Sequence, residues 1–151
     1  MEKPNYPIDS FENGLLYFFE SIGNEIVTTK VVIFSPSLED DNIYRLVLGD
    51  LLNDGNIDVY STSQNNDMEL ILMTVIKTIE LFFNHYPDKI ITFTGSTPAR
   101  TRLYRAVISK FIDNPNSSYE ICGITAENEV KLFQKNIQYV GYLIKKENGN
   151  N

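Results

Sequence analysis

Apolar residues recur along the chain with two different periods, and the changes of period mark out its elements. Leu15–Ile22 is a dense aromatic and aliphatic run, Gly23-Asn24 is a turn signal, and Glu25–Phe34 is rich in β-branched residues. The three together predict a β-hairpin. Ser35-Pro36 ends it, and Ser37–Asn42 reads as an acidic loop. In Ile43–Leu48 the residues Tyr44, Leu46 and Leu48 alternate with Arg45 and Val47, the period of a third strand. Gly49-Asp50 and Asn53–Asn56 supply turn chemistry, and Ser61–Asn66 is polar and loop-like.

The period then lengthens. Over Asn66–Tyr86 the residues Leu72, Val75, Ile76, Ile79, Phe82 and Phe83 fill one broad apolar face, opposite Glu69, Lys77, Glu80 and Asn84. Asn66 followed by Glu69 forms a capping-box pattern, and Pro87 stops the helix. Lys89–Phe93 predicts a short buried strand. Thr97-Pro98, a capping hydroxyl before a proline at the first helical position, opens a second helix that runs to about Ile112. Tyr119–Ile124 and Gln138–Lys146 read as strands, and Glu127–Lys135 reads as a strand or as one or two turns of helix, leaning to helix. The expectation is an α+β fold: a mostly antiparallel sheet of about five to six strands with two main helices packed on one face. The stretch from Ile43 to Phe93 would add one parallel pair. Residues 1–13 form an irregular arm, 14–146 a single domain, and 147–151 a disordered tail.

Composition narrows the setting. A chain of 151 residues, 42% hydrophobic and 22% charged, has the balance of a globular domain. One cysteine, Cys122, allows no internal disulfide, and no Cys/His spacing suggests a metal site. The N-terminus lacks a basic, apolar leader, and the apolar stretch around Leu70–Phe83 carries Lys77 and Glu80. The expectations are a cytoplasmic protein, no membrane contact and no cofactor. A net charge of −7 disfavours nucleic acid, whose phosphates are gripped by Lys and Arg. Yet the arginines are uneven: Arg45 stands alone while Arg100, Arg102 and Arg105 crowd one segment.

That segment, Phe93–Arg105, is the concentrated patch of chemistry. Gly95, Ser96 and Thr97 form a small, hydroxyl-rich turn between strand and helix, followed by Arg100. A helix start offers free amides and partial positive charge, and arginine adds a planar fork, so this end suits an anion. The same residues also suit a plain capped helix. Neither a Walker A pattern nor GxGxxG is present. On the helix, Leu103, Tyr104, Val107, Ile108 and Phe111 define the buried side, and Arg100 falls on it. Its charge needs a partner: Asp50, Asp54, Asp58, Asp67 or a ligand anion. Arg102 and Arg105 fall on the far side and suit a partner protein, or nucleic acid together with Lys110.

The stretch GSTPARTRLYR resembles the signature, roughly GSTxARTRLYR, of an uncharacterised bacterial family found mainly in Bacteroidetes. Tyr44–Asp50 and Ser63–Val75 resemble that family's "YNLAFGD" and "SNNGDxxKVLATV", so the likeness runs from about Leu15 to Phe111. The chain departs from it at Arg45, where Asn is expected, and at Asn66, where Gly is expected. The resemblance transfers no activity. It implies that Gly49-Asp50, Asn65–Asp67 and Gly95–Arg105 gather in space, with Asp50, Asn66 and Asp67 as polar partners of the arginine end.

Elsewhere the chemistry is sparse. His85, the single histidine, sits at a helix C-terminus where a dipole contact explains it. Asp50, Asp54 and Asp58 read as turn acids without calcium-loop spacing. The sequence therefore points to a non-enzymatic binding or regulatory module, a homodimer or the partner of another protein, with Arg102 and Arg105 on its contact surface. The alternative is an enzyme or sensor that binds a phosphate-bearing small molecule at Gly95, Ser96, Thr97 and Arg100.

Overall fold

The computed structural model describes residues 4–23, 26–58, 67–94, 97–114 and 118–147. The predicted hairpin forms as β2 (Leu16–Ile22) and β3 (Val27–Pro36), and β4 (Ile43–Leu51) pairs antiparallel with β3. Helix α1 (Met68–His85) then leads to β6 (Ile90–Thr94), which lies parallel to the first half of β4. Helix α2 (Pro98–Asp113) follows, then β7 (Tyr119–Ile124) and β9 (Gly141–Lys146). Three short strands complete the sheet: β1 (Asp9–Phe11), β5 (Ile57–Asp58) and β8 (Val130–Leu132). The spatial order is β1-β2-β3-β4-β6-β9-β7-β8, with β5 on the end of β4.

The sheet corrects the expectation of about five to six strands: it has nine among the described residues, and it is mixed, while the α+β character stands. The additional strands carry little pattern of their own. Asp9–Phe11 lies within the stretch read as an irregular arm, yet it pairs with β2. Glu127–Lys135, which leaned to helix, instead turns tightly and enters β8. Asn128 adopts φ 66°, a left-handed conformation that no right-handed helix can continue. The turn is closed by Thr125 and Glu129, whose backbone N···O distance is 2.9 Å.

Register explains the core. Because side chains alternate along a strand, Tyr17, Val32 and Leu48 fall in one row of one face. Tyr44, Ile91, Ile144 and Ile121 form another row of the same face. Both helices cover that face. Phe82 of α1 stacks on Phe34 at 4.6 Å between ring centroids and meets Tyr44 edge-on at 5.3 Å. Tyr104 of α2 meets Phe93 at 5.0 Å. Each fully buried large apolar side chain contributes roughly 1.5–3 kcal/mol. Gly14, at φ +86°, lies against the end of α1, where a Cβ would sit 2.7 Å from Nδ1 of His85. No helix among the described residues is long and apolar enough to cross a membrane.

Candidate functional site

The helix-covered face is apolar along most of its length and turns polar at one end. On β3 the alternation that buries Phe34 and Val32 also buries Lys30, which is 2% exposed. Opposite it in register stands Asp50, near the end of β4, and Lys30 Nζ lies 2.6 Å from Asp50 Oδ1. Sequence reasoning missed Lys30, although its position in phase with Val32 and Phe34 was the available signal.

A second buried carboxylate lies in the neighbouring rows. Asp67, immediately before α1, makes no side-chain capping bond to its own helix. Its Oδ2 instead accepts from the Tyr6 and Ser21 hydroxyls, both at 2.5 Å. Tyr6 comes from the N-terminal arm. Its backbone N–H donates to Thr74 Oγ1 at 2.9 Å, and its hydroxyl oxygen accepts from the N–H of Ile22 at 3.1 Å. Asp67 therefore ties the arm, β2 and the start of α1 together. Tyr6 and Ser21 were not singled out from sequence because hydroxyls acquire this role only through contacts distant in the chain.

Arg100 completes the polar end. It lies in the first turn of α2 and is 5% exposed, on the side shared with Leu103, Tyr104, Val107, Ile108 and Phe111. Thr97 caps the helix by accepting the Arg100 backbone N–H at 3.1 Å. Burial pushes the Tyr104 hydroxyl above the ordinary tyrosine value, against the pull of the Arg100 guanidinium and of a hydrogen bond to the Leu48 backbone. Those contacts place the start of α2 beside the second half of β4, where Asp50 sits. Four buried ionisable side chains thus reach this end from β3, β4, the start of α1 and the start of α2.

Gly95, Ser96 and Asn66 lie outside the described residues. Arg102 is exposed and Arg105 half-buried. The Arg105 charge draws the Tyr142 hydroxyl down while burial, the larger effect, pushes it up. Asp54 holds the β4–β5 turn, accepting the Asn56 backbone N–H at 2.9 Å. His85 is exposed, with Nδ1 3.1 Å from the Leu81 carbonyl oxygen of its own helix. Cys122 is half-buried, and burial pushes its thiol up, which makes it a poor nucleophile. Among the described residues, no three His, Cys, Asp or Glu side chains gather in a metal-sized cluster.

The fold and this polar end define an α+β protein with buried charges where both helices begin. The sequence matches the model of a family of unknown function (DUF6934) over residues 2–147, and the chain belongs to that family. No curated protein and no solved structure matches it.

Proposed function

We propose that the chain is a non-catalytic binding module that takes an anionic group, most simply a phosphate-bearing small molecule, at the end of the sheet where α1 and α2 begin. The observation that carries this reading is the convergence there of Lys30, Asp50, Asp67 and Arg100 from four separate elements. Charged side chains are costly to bury, and their collection at one end favours a recognition site over a general stabilising device. Ligands of α/β sheets also tend to sit outside the carboxyl ends of parallel strands, and β4 and β6 are such a pair. Thr97 and Arg100 would hold the anion together with Gly95 and Ser96, while Asp50 and Asp67 set the positions of their neighbours.

A partner protein at the outer side of α2 is a second reading, favoured by the exposure of Arg102. Two copies of that side would set arginine against arginine, so an acidic partner fits it better than a second copy.

A thermal-shift titration with inorganic phosphate, nucleoside phosphates and dicarboxylates tests the first reading. A ligand at 100 times its Kd should stabilise the native state by about 2.7 kcal/mol, a rise of several degrees in Tm. Arg100→Lys should abolish that rise, because a point charge cannot replace the planar fork. Absence of any shift at millimolar concentrations of all three ligand classes would overturn the reading.

A further inference from the structure

Both helices cover one face of the sheet, and the alternation that fills that face also builds a second one. Much of it is apolar and only partly buried, as at Phe18, Ile33, Val47, Leu143 and Cys122, with Arg45 of β4 and Thr92 of β6 between them, while Val31 is already buried within the chain. At its margins Phe11, Ile22, Val27, Val130 and Leu132 are each more than half exposed. Neither helix packs on this side. We propose that a second copy of this chain covers it, making the protein a face-to-face homodimer through its sheet.

Three observations select a second copy as the occupant. The first is extent. Eight strands side by side at about 4.8 Å span roughly 34 Å, and the strands, three to ten residues long, average roughly 20 Å, giving a face of roughly 700 Å² in outline. That approaches the roughly 800 Å² that each partner contributes to a stable interface of standard size.

The second is charge. The whole chain carries −7, which opposes self-association. The register places only five charged strand residues on this face: the bases Arg45 and Lys145 against the acids Asp9, Glu20 and Glu120. Two bases against three acids leave one net negative charge, so the acidic excess lies almost entirely elsewhere.

The third is polarity of arrangement. Asp9 and Glu20 lie on β1 and β2 and Arg45 on β4, while Lys145 on β9 stands opposite Glu120 on β7. An isologous contact pairs a surface with itself, so a face with acids at its β1–β2 edge and Arg45 nearer its centre can complement its own copy. Packed sheets align or cross at near right angles with side chains interdigitating.

Cys122 is the chain's single cysteine and lies on this face, which supplies a reporter without mutation. Analytical ultracentrifugation should give a dimer at micromolar concentration. The maleimide labelling rate of Cys122 should fall at least tenfold between dilute and concentrated protein. Val47→Lys, at the middle of the face, should give a monomer with Cys122 labelled at the fast rate throughout. Ser35→Lys, beside Arg45 in register, should do the same at a position where no apolar core contact is lost. Arg102→Glu, on the helix side, should leave the dimer intact. A wild-type monomer up to hundreds of micromolar would overturn the proposal. So would a dimer that survives both face variants or is lost in Arg102→Glu.

Discussion

Replacing Asp50 by asparagine keeps nearly the same shape and removes one charge, leaving the Lys30 ammonium without its carboxylate in a setting 2% exposed. Lys30 and Asp50 stand directly opposite on adjacent strands with 2.6 Å between Nζ and Oδ1, so the variant cannot compensate by a small shift of the chain. Breaking a buried pair from one side costs about 3–5 kcal/mol, because the surviving charge keeps its desolvation penalty and loses its attraction. In a domain of this length each kcal/mol moves Tm by about 2–4 °C, so Asp50→Asn should lower it by roughly 6–20 °C. The double replacement Lys30→Met with Asp50→Leu removes both charges at similar volume, and should fall within about 2 kcal/mol of the wild type. Urea unfolding with a shared slope provides the assay. A loss below 1 kcal/mol for Asp50→Asn, or an equal loss in single and double variants, would refute the pair as a buried, mutually dependent unit. The double variant also separates roles: a stable protein that no longer responds to phosphate assigns the pair to the binding end.

Two further outcomes follow from the buried hydroxyls. Tyr6→Phe removes a donor to Asp67 and an acceptor for the Ile22 N–H, and should cost about 1–3 kcal/mol in urea unfolding; a loss under 0.5 kcal/mol would show that the arm is not tied down there. Burial pushes Tyr17 up to about 12 from the ordinary value of 10.0. The folded state therefore holds that proton more tightly than the unfolded chain, and its contribution is complete below pH 10 and lost as pH rises to about 12. Over that window the wild type should lose roughly 2–3 kcal/mol from this group, read by urea unfolding across alkaline pH, and Tyr17→Phe should lack that part of the slope. An unchanged slope in the variant would assign the alkaline loss to other groups.

What the chain alone determines is local. The two helices, their apolar faces and the Thr97 cap were legible because 3.6-residue periodicity and capping act between residues close in sequence. The inward position of Arg100 followed from the same arithmetic, since it lies three residues before Leu103 on one helix. Strands β2, β3, β4, β6, β7 and β9 were visible from runs or alternations of their own. Strands β1 and β5 were not, and β8 was visible only as the alternative to a helix, because a two- or three-residue strand exists only where a neighbour offers hydrogen bonds, and that neighbour is set by the fold.

The tertiary structure alone decided the rest of the polar end. Lys30 lies in phase with the buried Val32 and Phe34, but only the register puts Asp50 opposite it. Tyr6 and Asp67 are separated by sixty-one positions, and no local pattern links them. Hydrophobic period reports which side of an element is buried. Only the pairing of strands fixes which buried charges meet.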